Sequence, residues 1–147
     1  IAPASTAEET ISEPSEYEVM RTNSIAKKNR AIQTKLEKVI SYTKQTMVAY
    51  MSEEDLNRLC AYIVEYSSGD TLQKISPVKV DSQLKSIDIM HFGWNIGKAF
   101  SKKRIHTATF IKNVFAHTLR DLEISTIERK MSHTESACYI KLKKEIT

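Results

Sequence analysis

Residues 15–50 contain neither glycine nor proline, and this uninterrupted run limits the fold more than any other feature of the chain. Its apolar residues recur at the spacing of one face of an α-helix. The whole chain of 147 residues has only 3 Gly and 3 Pro, too few for the frequent turns of a β-sandwich or barrel. The sequence therefore predicts a mainly α fold, a helical bundle with a minor β element.

One apolar stripe runs along the predicted long helix, which covers residues from about Glu16 to Met51. Two interpretations of the stripe remain open. It faces the core of the bundle, or it forms a short coiled-coil seam with a second copy or another partner protein. In the second interpretation the homodimer or partner interface consists of Ile25, Ile32, Leu36, Val39 and Met47.

The chain divides into three regions by composition and pattern. Residues 1–16 are rich in Ala, Ser, Thr, Glu and Pro and predict an acidic flexible tail or linker. Residues 17–85 predict an N-terminal helical region: the long helix, a second helix that Ser52 caps and Gly69 ends, and an extended connection. Residues 86–147 predict a C-terminal helix-turn-helix-like region with a terminal strand.

The C-terminal region opens with a glycine-containing helix. Ser86 and Asp88 are suited to its first turn. Gly93 and Gly97 stand four residues apart on it, so we expect another helix to pack closely against that face. Trp94, the single tryptophan, is expected in the core or at its edge.

Residues 107–133 read TATFIKNVFAHTLRDLEISTIERKMSH and predict two helices around a polar break. The first helix covers about 108–121, with Thr107 as a candidate N-cap. The second begins immediately after Ser125, because Ser125 and Glu128 have the spacing of a capping box.

Residues 138–142 alternate apolar and polar side chains, the pattern of a half-buried strand. This strand is expected to pair with residues 73–80 or with another strand. Two helices followed by such a strand resemble winged helix-turn-helix domains in general shape. No family's diagnostic residues accompany the resemblance, so it assigns no functional residue.

The C-terminal third is strongly basic. From Lys98 to Thr147 the chain has eleven Lys or Arg against five Asp or Glu, a net charge of +6. This balance favours a polyanionic partner, and we expect double-stranded DNA. A helix starting at Thr126 turns Ile127 and Met131 inward. The residues predicted to contact DNA are Thr126, Arg129, Lys130 and His133 on the outer face, and Lys102, Lys103 and Arg104 before the supporting helix.

The sequence offers no enzymatic or metal-binding pattern. The four histidines form no HExxH, neither cysteine belongs to a CxxC, and no glycine-rich phosphate loop is present. Cys60 and Cys138 stand in apolar surroundings and are interpreted as small buried residues. A pair of Cys138 with His91 or His133 lacks any supporting motif. We predict no catalytic residue, metal, cofactor or small-molecule substrate.

No apolar run reaches the ~20 residues of a membrane span, and no signal peptide opens the chain. The sequence therefore predicts a cytoplasmic protein without a membrane partner. The predicted function is that of a non-enzymatic DNA-binding protein acting in transcription regulation. The alternative is a protein-interaction or self-association module that acts through the long helix and binds no nucleic acid.

Overall fold

A computed structural model describes residues 12–69, 72 and 74–146, and it is mainly helical, as predicted. Within these residues there are five helices and no strand. None of the helices is both long enough and apolar enough to cross a membrane. The helices are α1 (Glu16–Met47), α2 (Glu53–Ser68), α3 (Ser86–Ala99), α4 (Arg104–Val114) and α5 (Ile124–Lys130).

The chain divides into two units between Gln33 and Thr34, inside α1. In the first unit the apolar stripe of α1 is exposed, with Ile25 at 45% and Ile32 at 54% of full exposure. In the second unit the same stripe enters the core. Leu36 packs against the core there, and Val39 and Met47 are fully buried. The core-facing interpretation is therefore confirmed for the second part of the stripe. The predicted tail over 1–16 lies mostly outside the described residues.

The signals at both ends of α2 are confirmed. The hydroxyl of Ser52 accepts a hydrogen bond from the amide of Asp55 at 3.1 Å, which satisfies one of the free donors of the first turn. At the other end, the amide of Gly69 donates to the carbonyl of Glu65 at 3.1 Å. Helix α3 begins at Ser86, as its sequence indicated.

Helices α3 and α4 pack closely at the two glycines of α3. A Cβ atom built on Gly93 would lie 2.7 Å from the side chain of Ile111, and one built on Gly97 would lie 2.8 Å from Cγ2 of Thr107. Both distances are shorter than those of real Cβ contacts, so a larger residue at either position would force the α4 side chain to shift. Thr107 is not the N-cap of α4, contrary to what the sequence had suggested. It is buried inside α4, which begins at Arg104.

The predicted β element is absent from the described residues. Residues 138–142 form no strand, and neither do the described residues of 73–80, which are connected to α4 by one main-chain bond from Val78 to Val114 of 2.9 Å. The alternation of apolar and polar residues has a different cause. The segment lies against α3, where Ile140 is buried and Lys141 is exposed.

Aromatic side chains form the centre of the second unit. Phe92 of α3 stacks on Tyr42 with ring centroids 5.8 Å apart and meets the edge of Phe115 at 5.9 Å. Tyr66 of α2 stacks on Phe110 of α4 at 4.2 Å. These contacts join α1, α2, α3 and α4 around one core, on which the C-terminal elements rest.

Candidate nucleic-acid interface

Helix α5 has the two faces that its sequence predicted. Ile127 and Met131 are fully buried, while Arg129 and Lys130 are exposed. His133, just beyond the helix, is also exposed. Within the described residues, the side chains of Arg129 and Lys130 have no hydrogen bond or ion pair, so both charges face solvent.

The start of α5 differs from the prediction. The helix begins at Ile124, and its N-cap is Glu123, whose side chain makes no capping bond. The carbonyl of Glu123 accepts from the amides of Thr126 and Ile127, both at 3.0 Å. Ser125 therefore lies inside the helix, and the predicted capping box is not formed. Thr126 is half-buried at the margin of the exposed face.

The connection between α4 and α5 is longer than the turn of a helix-turn-helix unit. Helix α4 ends at Val114 rather than near 121, and residues 115–123 form the connection, of which 115–121 are successive turns. The turn of the motif has only about three or four residues. Lys112 organises this connection from α4. Its ammonium group donates to the carbonyls of Leu119 at 2.7 Å, Arg120 at 3.1 Å and Leu122 at 2.6 Å.

Arg104 fastens α5 to the start of α4. Its guanidinium donates to the hydroxyl of Ser132 at 3.0 Å and to the carbonyl of Glu128, and it lies 5.0 Å from the ring centroid of Trp94. The carbonyl of Glu128 belongs to the last turn of α5, where free carbonyls favour a cation. Arg104 is among the residues predicted to contact DNA, and in the structure its guanidinium positions α5.

The neighbouring lysines differ in their surroundings. The ammonium group of Lys102 donates to the carbonyl of Gly69 at 3.1 Å and lies 5.0 Å from the ring centroid of Tyr66. Lys103 is exposed, and its side chain has no partner within the described part of the chain. Because Lys103 directly precedes Arg104, it stands at the junction between α4 and the end of α5.

A row of buried polar side chains on α3 holds the C-terminal segment. The row consists of Asp88, His91 and Asn95, each exposed by no more than 2%. One carboxylate oxygen of Asp88 accepts from the amides of Tyr139 at 2.7 Å and Ile140 at 3.0 Å. The other oxygen accepts from the amide of Lys85 at 2.9 Å.

His91 and Asn95 continue this row toward the end of α3. The ring nitrogens of His91 lie 2.7 Å from the carbonyl oxygen of His133 and 2.8 Å from that of Ile140. The amide group of Asn95 donates to the carbonyl of Lys141 at 2.9 Å and accepts from the amide of Lys143 at 2.8 Å. Side chains of α3 thus bind main-chain groups that a partner strand would bind in a sheet. The main chain at His133 is fixed in this way.

The row was missed in the sequence, although its members recur at helical spacing. Polar residues at i, i+3 and i+7 share one face of a helix, and here that face is buried. Asn95 also donates to the hydroxyl of Tyr42 at 2.8 Å. Burial raises the pKa of Tyr42, and the hydrogen bond from Asn95 opposes this rise.

The structure brings Cys138 close to His91. The sulfur lies 3.7 Å from Nδ1 of His91, but the thiol donates to the carbonyl of Glu135 at 3.0 Å. Nδ1 also lies 2.8 Å from the carbonyl oxygen of Ile140. Cys60 is half-buried on α2, and burial raises the pKa of its thiol.

Comparisons with protein-family models, curated proteins and solved structures found no match to this chain. The candidate interface is accordingly defined by its own geometry: the exposed basic residues at the end of α5 and at Lys103, and the buried residues that position them.

Proposed function

We propose that this protein binds double-stranded DNA without enzymatic activity, as a regulatory protein would. The observation that carries the proposal is the division of α5. One face is fully buried, and the other presents Arg129 and Lys130 with no partner within the described residues. Lys103 and His133 extend the exposed group, with Thr126 at its margin.

The expected contacts follow from side-chain chemistry. The planar guanidinium of Arg129 is suited to two parallel bonds with a phosphate or a guanine edge, and the ammonium groups of Lys103 and Lys130 are suited to phosphates. Lys102 and Arg104 are half-buried and support the interface through their contacts within the protein. The proposal depends on this basic helix end and does not require a winged helix, since the connection over 115–123 is long and the described residues hold no strand.

The test replaces Arg129 and Lys130 together by alanine and measures binding to a labelled DNA duplex by fluorescence anisotropy over a series of salt concentrations. Loss of two phosphate contacts is expected to lower the slope of log K against log salt by about 1.8. Affinity at low salt should fall at least about tenfold, because two charge-assisted contacts are lost.

The matched control replaces Lys74 and Lys79 by alanine, because both are exposed and the net charge changes equally. This control should retain most of the wild-type affinity. An equal loss of affinity in both double variants would show that binding depends on net charge alone, and the proposed interface would then be rejected.

A second candidate function is self-association through the first part of α1. It is favoured by the exposure of Ile25 and Ile32 on the predicted seam. The substitution Ile32→Asp is expected to lower the molar mass in light scattering from that of a dimer to that of a monomer, with an unchanged helical circular dichroism spectrum. A monomeric wild-type protein would exclude this function. Val39 is unsuitable for the test because it is fully buried in the core.

A further inference from the structure

We infer that a cavity beside Arg104 binds a phosphate group. The cavity has a volume of about 270 Å³ and lies between the end of α3, the loop before α4 and the end of α5. Its lining includes Trp94, Lys98, Ser101, Lys102, Arg104 and Met131. This site goes beyond the proposed DNA interface, since Arg129 and Lys130 do not line it.

The charge of the cavity favours an anion. Lys98, Lys102 and Arg104 contribute three cationic side chains, and no aspartate or glutamate is found among the described residues that line the cavity. Arg104 is half-buried, and its partners within the described residues are a hydroxyl, a carbonyl and an aromatic ring, all of them neutral. A partly buried cation is costly without a compensating charge, and a bound anion would supply one.

Ser101 adds a hydroxyl group to the lining of the same cavity. Its φ angle of 56° makes it the one non-glycine residue with a positive φ in the described part of the chain. This left-handed residue belongs to a Schellman motif that ends α3, in which the amide of Ser101 donates to the carbonyl of Lys98 at 3.1 Å and the amide of Lys102 donates to that of Gly97 at 2.8 Å. The serine is exposed and lines the cavity, so its hydroxyl can donate a hydrogen bond to an anion.

Phosphate suits these groups better than a carboxylate does. It offers several acceptor oxygens and up to two negative charges, which match lysine, arginine and serine donors arranged around one space. The wall formed by Trp94 and Met131 leaves room for organic atoms attached to the phosphate. The source is either a small phosphorylated molecule or the end of a nucleic-acid strand, and both present the same group.

The position of Trp94 provides the measurement. As the only tryptophan of the chain, it reports by its fluorescence on ligands that enter the cavity. Titration of the full chain with inorganic phosphate, at constant ionic strength adjusted with chloride, should give a saturable change in emission. The exposed Lys98 has no side-chain partner within the described residues, so Lys98→Gln should fold normally and raise the phosphate midpoint roughly fivefold or more.

Lys144→Gln is the matched control, because it removes an exposed lysine that does not line the cavity, and its midpoint should equal that of the wild type. No saturable change in the wild type, or equal midpoints for Lys98→Gln and the wild type, would refute the site. Further titrations compare a 5′-mononucleotide with a duplex carrying 5′-phosphates. Tighter binding of the mononucleotide would identify a small-molecule site, and tighter binding of the duplex would identify a nucleic-acid end.

The outcome for the cavity is separable from the outcome for DNA binding. The double variant Arg129→Ala and Lys130→Ala should keep the wild-type phosphate midpoint, since neither residue lines the cavity. If the wild type binds phosphate but not duplex DNA, the cavity stands and the proposed function fails. If it binds duplex DNA but phosphate does not change the emission of Trp94, the proposed function stands and the cavity site fails.

Discussion

Replacing Asp88 tests whether α3 holds the C-terminal segment through one carboxylate. The side chain is 1% exposed and accepts three main-chain hydrogen bonds, from Lys85, Tyr139 and Ile140, at 2.7–3.0 Å. In Asp88→Asn one oxygen becomes an NH₂ group, so at least one of these amides faces a donor in either orientation of the side chain. An unsatisfied buried donor costs about 1–3 kcal/mol. We therefore expect Asp88→Asn to lower the free energy of unfolding by that amount.

Asp88→Ala removes all three acceptor contacts and should cost about 3–9 kcal/mol, at about 1–3 kcal/mol for each unsatisfied amide. Because a domain of this size has a total stability of about 5–15 kcal/mol, the alanine variant approaches the limit of folding, and the asparagine variant gives the measurable step. Urea unfolding followed by circular dichroism supplies the free energies. Amide hydrogen exchange at Tyr139 and Ile140 should accelerate more than exchange in α2.

The matched control is Asp121→Asn, whose side chain is 92% exposed, and it should change the free energy of unfolding by less than about 0.5 kcal/mol. The proposed role of the Asp88 carboxylate is refuted if Asp88→Asn is as stable as this control. It is also refuted if exchange at Tyr139 and Ile140 is unchanged, because the carboxylate would then not be their acceptor.

Two further predictions concern the core. Gly97→Ala should lower the free energy of unfolding by about 1–3 kcal/mol in urea titrations, because its Cβ would overlap the side chain of Thr107. Gly69→Ala should be nearly neutral, because the atom nearest to its Cβ would be 4.0 Å away. Equal effects of the two substitutions would contradict the close contact between α3 and α4. Since burial raises the pKa of Tyr42, the folded state holds that proton more tightly than the unfolded state, and stability should fall as the pH rises above about 10. Tyr42→Phe should show a shallower fall in unfolding experiments at pH 9–11, and identical slopes would contradict this prediction.

The features predicted correctly from the sequence depend on neighbours within one helix or on a close helix contact. The hydroxyl of Ser52 reaches an amide three residues away, and Gly69 ends the same helix. The burial of Ile127 in α5 and of Met131 at its C-cap follows from helical spacing alone. The glycines of α3 indicated a close approach of backbones, although the sequence could not name α4 as the partner.

The features that were missed depend on contacts between residues far apart in the chain. Residues 138–142 do alternate apolar and polar side chains, but they form no strand. Their main-chain groups bind side chains about 50 residues earlier in the chain, which no local pattern reveals. Arg104 donates to the main-chain carbonyl of Glu128 in α5, and Lys112 donates to that of Leu122 just before α5. No local pattern indicated either contact. Ser125 and Glu128 have the spacing of a capping box, but the box does not form, because the helix begins at Ile124 and Ser125 lies inside it.

The way α3 binds the C-terminal segment also determines which substitutions that segment tolerates. Its partners are main-chain atoms, so most side-chain changes at exposed positions leave the hydrogen bonds intact. Proline is the exception, because it has no amide proton. Tyr139, Ile140 and Lys143 each donate an amide proton to α3 and exclude proline, while Lys141 offers only its carbonyl to Asn95. The exposed side chains of the segment are therefore free to diverge, except that the positions whose amides bond to α3 cannot be proline.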